Sequence, residues 1–293
     1  MAETIAVIAA GEMGAGIAKR LSERGAQVLT SLRGRGAASA ARAAAAGMRD
    51  IASDDDIVAQ SDFILSVVPP GQAVALAERF QEPLARSARK PVYADCNAVA
   101  PRTAERIGTL VAEAGAPYID GGIIGGPPAA GYSPSIYVSG PLASEARRLV
   151  QYGLNIRVID GGIGAASALK MSYAGITKGV TAIGAALLLG ASRAGCAAEL
   201  KQEMVESQPQ LLQRFSRQVP LAFPKAYRWV AEMEEIAAFL DEDAAAREMF
   251  LGIARLYERI AAGQANTSLA AQGELAALLD FCAETPAARS GAR

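Results

Sequence analysis

The 293-residue sequence contains no histidine. That absence removes Ser-His-Asp and Cys-His nucleophile chemistry, histidine-ligated metals and a histidine general base together. Any proton moved by a side chain has to pass through lysine, tyrosine, cysteine or a carboxylate. Cysteine is scarce as well: Cys96, Cys196 and Cys282 stand far apart with no C-x-x-C spacing, which argues against a metal knuckle or a disulfide framework and fits a reducing compartment. Net charge is also missing. With 29 Lys+Arg against 30 Asp+Glu the formal charge is -1, so no long-range field gathers nucleic acid or an anionic membrane surface. The longest nearly uncharged run, residues 179–193, is shorter than the roughly 20 residues a membrane-spanning helix needs, and we expect a buried helix there. Met1-Ala2-Glu3-Thr4 runs into an apolar segment without a basic leader, so a cytoplasmic location is expected. There is no internal repeat.

What is present is an apolar chain, 51% hydrophobic and 20% charged, long enough for two domains with full cores. From residue 4 to about 160, short Val- and Ile-rich runs alternate with helical patterns, the arrangement of βα units around a parallel sheet. Residues 4–8, 27–31, 63–68, 92–95 and 118–119 are the clearest strand candidates, and the alanine-rich stretch 37–46 is an excellent helix former. After Gly161 and Gly162 the pattern changes. Residues 167–194 read as one long helix and the remainder is helical in composition, giving domains at 1–161 and 162–293, the second all-α. Pro209, Pro220 and Pro224 punctuate the second half, and a tail at 289–293 is expected to fray.

The first strand is followed by Ala9-Ala10-Gly11-Glu12-Met13-Gly14, a small-residue turn leading into a helix near Met13. Small residues let a backbone approach a pyrophosphate, whose charge the unpaired amides of the helix start then stabilise. Ala10, Gly11, Glu12, Met13 and Gly14 are therefore expected to hold a dinucleotide, although Ala9 replaces the first glycine of the usual G-x-G-x-x-G. At the end of the second strand, Thr30-Ser31-Leu32-Arg33-Gly34-Arg35-Gly36 carries no carboxylate to bind ribose hydroxyls. Ser31, Arg33 and Arg35 suit a 2'-phosphate, so NADP(H) is expected over NAD(H).

Four segments, in order, resemble the β-hydroxyacid dehydrogenase and 6-phosphogluconate dehydrogenase superfamily. They are Glu12-Met13-Gly14, Val67-Val68-Pro69-Pro70, Asp95-Cys96-Asn97-Ala98-Val99-Ala100-Pro101 and Gly164-Ala165-Ala166-Ser167-Ala168-Leu169-Lys170. The stretch 223–236, with Phe223-Pro224-Lys225-Ala226-Tyr227-Arg228-Trp229, resembles a branch with a phosphogluconate dehydrogenase C-terminal-like helical domain. The resemblance implies a Rossmann-type, doubly wound sheet followed by an all-α domain that forms a homodimer, with the active site between the domains. It places Val68, Pro69, Pro70 and Asn97 near the cofactor and makes Lys170 the catalytic proton donor and acceptor. The ancestral name is no evidence that 6-phosphogluconate is the substrate.

Ser167, Lys170, Tyr173 and Thr177 fall close to one stripe of a helix. A lysine on an apolar helix is either a snorkelling side chain or a functional amine, and the resemblance favours the second. Lys178 is read as structural or peripheral. Departures from the family pattern lie in the substrate segment Asp120-Gly121-Gly122-Ile123-Ile124-Gly125-Gly126, where Ile124 stands in place of the family's serine. Ala174 replaces an asparagine and Asn97 a serine. Asn97, Ile124, Gly125, Gly126, Lys170 and Tyr173 are the expected substrate contacts, in a pocket suited to a bulkier or less polar substrate than a small hydroxy carboxylate. Tyr227, Arg228 and Trp229 either reach a cleft or anchor a surface. The expected activity is hydride transfer between NADP(H) and a hydroxy acid or related alcohol or carbonyl. An imine reductase-like enzyme and a catalytically silent NADPH-binding sensor remain as alternatives.

Overall fold

The computed structural model describes residues 2–265 and 269–283, so the tail at 289–293 lies outside the described residues. The chain forms two compact units, 1–173 and 174–293.

The first unit is built on eight strands: β1 (Thr4–Ile8), β2 (Gln27–Thr30), β3 (Arg49–Asp50), β4 (Phe63–Ser66), β5 (Val92–Asp95), β6 (Tyr118–Ile124), β7 (Ser135–Ser139) and β8 (Asn155–Val158). They make one sheet in the order β3-β2-β1-β4-β5-β6-β7-β8. The first six are parallel, β7 runs antiparallel to β6, and β8 is parallel to β7. Successive side chains of β1 serve both faces: Ile5 and Val7 enter one core cluster, Ala6 and Ile8 the other. Helix α1 (Glu12–Glu23) brings Ile17, Ala18 and Leu21 to the first cluster, beside α2 (Ala37–Ala45). Helices α3 (Asp54–Gln60), α4 (Ala73–Arg86) and α5 (Pro101–Glu113) cover the other face with Ile57, Phe80, Leu84 and Ile107. Each large apolar side chain withdrawn completely from water contributes about 1.5–3 kcal/mol. Ser53 caps α3 by accepting from the Asp56 amide, and three aspartates fill its first turn, where the helix dipole favours negative charge.

Four of the expected strands match β1, β2, β4 and β5 to within two residues, and β6 is longer than the dipeptide expected at 118–119. Gly121 and Gly122 lie beyond that expected strand, in the substrate segment. In the fold they are strand residues that admit close neighbours, since a Cβ on Gly121 would lie 2.9 Å from the Asp95 carbonyl.

Helix α6 (Ala165–Ala194) begins in the first unit and continues into the second. Its first turns are tied to β6, which is why the units divide beyond the 161–162 boundary expected from composition. The second unit contains α7 (Ala197–Ser207), α8 (Pro209–Ala222), a 3-10 turn (Phe223–Lys225), α9 (Ala226–Phe239), α10 (Ala244–Ala265) and α11 (Leu269–Ala283). Small residues on α6 admit aromatic partners: Gly175 and Gly179 face Phe250, and Gly184 faces Phe215. With 30 residues α6 is, by length and composition, enough to cross a membrane, where the run 179–193 is too short. Half of its most apolar window is buried in the protein.

Candidate active site

Because β1, β4, β5 and β6 are parallel neighbours, their carboxyl ends open on one edge, and β1 and β4 flank the point where strand order reverses. At the end of β1, Gly11 is the N-cap of α1 and brings no side chain to cap it. Its first amides are therefore left without intrahelical acceptors. A Cβ on Gly14 would stand 1.9 Å from the Ala9 carbonyl oxygen, so only glycine lets α1 rise directly from the strand. A Cβ on Gly11 would meet nothing within 4 Å. Gly14 thus satisfies a constraint of the fold, whereas the open space before Gly11 fits a dinucleotide pyrophosphate. Ala10 is buried, Gly11 and Glu12 are exposed, and Met13 packs partly against the core.

Beyond β2, Arg33 and Arg35 are exposed. Sequence reasoning passed over three nearby groups. Arg42 of α2 donates from Nε to the Ala10 carbonyl at 3.1 Å, linking α2 to the glycine loop. Asp50, ending β3, accepts the Leu32 amide at 2.9 Å and brings to this loop the carboxylate that its own sequence lacks. Ser31 is buried, and its hydroxyl accepts from Arg79 of α4 at 3.0 Å, while Arg79 also pairs with Asp54.

Asn97 is buried, and its side chain braces two strand ends. Its Oδ1 accepts the Val68 amide at 2.6 Å, and its Nδ2 donates to Ser66 Oγ at 2.6 Å and to the Asp95 carboxylate. Both amide protons expected for cofactor and substrate are engaged within the protein, which leaves Asn97 as a support for the segment Val68-Pro69-Pro70. Pro69 is exposed there, and Pro70 opens a 3-10 turn (Pro70–Gln72). Burial pushes the neighbouring Cys96 thiol far up, with the Asp95 and Asp120 charges adding to it, so Cys96 is no nucleophile.

The feature least visible in sequence is Asp120, fully buried in β6. Its Oδ2 accepts the backbone amides of Gly164 at 2.9 Å, Ala166 at 3.1 Å and Ser167 at 3.2 Å, together with the Ser139 hydroxyl at 2.9 Å. Its Oδ1 accepts Ser167 Oγ at 2.6 Å, and Ser139 Oγ also accepts the Ala166 amide at 2.9 Å. A carboxylate from another element therefore caps α6, satisfying donors that the helix cannot satisfy itself. The available signal was an acidic residue inside the run Tyr118-Ile119-Asp120.

One turn after this clamp comes Lys170, half-buried. A Cβ on Gly122 would lie 2.8 Å from Lys170 Cβ and 3.1 Å from the Ala166 carbonyl, so the missing side chain at 122 sets how closely α6 approaches β6. Ile124 shares the strand face of Gly122 by the two-residue period, and Gly125 and Gly126 are exposed beyond it. The expected stripe on α6 divides: Ser167 is consumed by the clamp, Tyr173 is 49% exposed, and the Thr177 hydroxyl donates to the Ala174 carbonyl.

In the second unit, Lys178 forms an ion pair with buried Glu232 and lies 5.0 Å from the Trp229 ring centre. Tyr257 donates to the Lys178 carbonyl at 2.8 Å and meets Trp229 edge-on. Trp229 is thus a packing residue, while Tyr227 is exposed beneath the Arg228 guanidinium. Among the described residues no cluster of histidine, cysteine or acidic side chains could hold a metal ion.

The fold and this edge define a nicotinamide-nucleotide-binding oxidoreductase of the dehydrogenase class. Residues 4–152 match the family model described as the NAD binding domain of 6-phosphogluconate dehydrogenase, and the chain belongs to that family. Residues 191–260 match a domain of unknown function, DUF1932. A conserved protein of unknown function, MTH1747, whose structure is described as similar to 3-hydroxyacid dehydrogenases, is 27% identical, with a TM-score of 0.67 over 92% of this chain and 98% of that one. An uncharacterized 28.5 kDa protein of Methanothermus fervidus is 28% identical over 182 residues, 62% of this chain and 68% of its own length. A Mycobacterium tuberculosis 3-hydroxyisobutyrate dehydrogenase shares the fold at 20% identity, with a TM-score of 0.59 over 97% of this chain and 95% of that one.

Proposed function

We propose that the protein transfers hydride between NADP(H) and a hydroxy acid or a related alcohol or carbonyl compound, with Lys170 exchanging the proton. The observation that carries this reading is the fixation of Lys170, on a helix start clamped by Asp120 and seated against Gly122 of β6. A bound nicotinamide supplies the hydride acceptor or donor. The residues around it then have separate tasks. The amides following Gly11 hold the pyrophosphate, and Asn97 keeps Val68 and Pro69 in place through the Val68 amide. As an alcohol is oxidised, Lys170 Nζ accepts the hydroxyl proton, and in reduction it returns that proton to the forming alkoxide. Gly125 and Gly126 offer exposed backbone at the end of β6 for the acid group.

The preference for NADP(H) rests on exposed Arg33 and Arg35, which bring two guanidinium groups to the loop that Arg42 and Asp50 frame. Self-association through α6 is part of the same reading. Tyr173, Ile176, Ile183 and Leu187 are exposed along an uncharged face of that helix, and a second copy of the chain suits it.

The test compares the parent with Lys170→Ala and with the double variant Arg33→Ala/Arg35→Ala. NADPH and NADH are titrated into each, and turnover is then assayed on hydroxy acids, aldehydes and cyclic imines. The expected result is NADPH binding by parent and Lys170→Ala alike, with turnover of hydroxy acids by the parent only. The double variant is expected to bind NADPH about ten-fold or more weakly while NADH binding changes little. Full turnover by Lys170→Ala refutes the assignment of the lysine. Failure to bind either nucleotide refutes the whole reading.

A further inference from the structure

Ile124 leaves the end of β6 without a side-chain hydroxyl, yet a hydroxyl is present there. It comes from Tyr132, on the loop 125–134 that follows the strand. The Tyr132 phenol oxygen accepts the Gly126 amide at 3.2 Å. Gly125, at φ +130, is shaped around it: a Cβ there would lie 2.1 Å from the phenol oxygen and 3.0 Å from Pro134 Cβ. The loop is held at its far side as well. Ala129 and Tyr132 exchange backbone hydrogen bonds of 3.1 and 3.0 Å, and Arg20 of α1 donates to both of their carbonyls at 2.8 and 3.0 Å. Tyr132 is therefore fixed at backbone and ring while remaining 44% exposed.

We propose that Tyr132 is a substrate-binding residue whose hydroxyl donates to an acid oxygen of the substrate at the Gly125-Gly126 turn; this rests on the hydroxy-acid reading above. The phenol accepts from Gly126 and so keeps its own proton to give, and among the described residues no acceptor is recorded for that proton. A donor that is itself accepting a hydrogen bond is polarised and donates more strongly. The turn lies three residues beyond Gly122, where Lys170 packs, a span of about 10 Å along the strand. A short acid held at the turn by its carboxylate directs its other end back toward Lys170. The hydroxyl missing at residue 124 is thus supplied by the loop, and Ile124 beneath it presents an apolar surface to the carbon chain.

The experiment uses the full chain saturated with NADPH, which takes up no hydride from an alcohol, so binding is measured without turnover. 3-Hydroxypropionate is titrated by calorimetry into the parent and into Tyr132→Phe. The variant is expected to bind the acid about ten-fold or more weakly, with NADPH affinity unchanged. Equal affinity for the acid overturns the proposal and leaves the hydroxy-acid reading intact. A parallel loss of NADPH affinity overturns it too, by showing that Tyr132 only supports the loop. If the parent binds NADPH but not 3-hydroxypropionate, the proposal falls, because the turn then holds no short acid, and the hydroxy-acid reading is decided separately by the turnover panel above.

Discussion

Replacing Asp120 by asparagine tests the clamp on α6 with almost no change in shape. In the parent, one carboxylate receives three backbone amides and two hydroxyls, all at 2.6–3.2 Å, in a site closed to solvent. A hydrogen bond to a charged group contributes about 1.5–3 kcal/mol, and a negative charge at a partly buried helix N-terminus up to about 2 kcal/mol. These contributions overlap, because the amide retains an oxygen that can still face the backbone donors while its NH2 turns to Ser167 Oγ. What disappears is the charge, so Asp120→Asn is expected to cost about 2–4 kcal/mol, and Asp120→Ala, which leaves four of the five donors unmet while the Ala166 amide keeps Ser139 Oγ, about 4–5 kcal/mol. Urea unfolding followed by circular dichroism measures the loss, and hydrogen exchange at Gly164, Ala166 and Ser167 localises it. Trp229, the only tryptophan, lies in the other unit, so its fluorescence midpoint is the internal comparison. An asparagine variant within 0.5 kcal/mol of the parent, with those amides equally protected, refutes the reasoning.

Other outcomes follow from buried groups. The Tyr118 hydroxyl is buried with no hydrogen-bond partner, so Tyr118→Phe is expected to stabilise the protein by about 1 kcal/mol in the same urea assay; destabilisation contradicts this. Burial holds the phenols of Tyr93, Tyr118 and Tyr257 well above their ordinary range, aided by Asp95 for the first two and Glu232 for the third. Each binds its proton more tightly folded than unfolded, so its contribution is complete below about pH 10 and is lost above it, by up to about 1.4 kcal/mol per pH unit for each phenol. Urea midpoints unchanged between pH 9 and 11 contradict that assignment. Native protein treated with a thiolate-selective reagent at pH 8 is expected to lose only the exposed Cys196 thiol, since burial raises both Cys96 and Cys282. Rapid labelling of Cys96, read by peptide mapping, excludes the closed packing around Asp95.

The sequence made the sheet legible where the middle of a run was buried on both faces, because β1, β2, β4 and β5 are apolar at their centres. β3 has two exposed residues and no apolar signal, and β8 is only half-buried. β7 does alternate, in Ser135-Ile136-Tyr137-Val138-Ser139, and its period-two pattern could have been read. Residue types marked the candidate site, but their partners depended on the fold. Ser31 and Asn97 were read as ligand contacts, and the fold adds partners that sequence does not show: Arg79 for Ser31, and the ends of β4 and β5 for Asn97. Asp120 and Tyr132 carried no spacing signal, since the first finds its partners 19 and 44 to 47 residues on and the second acts through the backbone of a turn.

The different beginnings of α1 and α6 also divide the molecule electrostatically. Both helices end in a bundle of parallel amide dipoles, equivalent to roughly half a positive charge each. At α6 that charge is answered inside the fold by Asp120, and little field escapes. At α1 the N-cap is a glycine with no side chain to offer, and the acidic residue of the first turn, Glu12, is exposed to solvent, so the donors of the glycine loop are not enclosed as those of α6 are. An arriving polyanion therefore finds open backbone donors at the start of α1 and none at the start of α6, where Asp120 has already taken them.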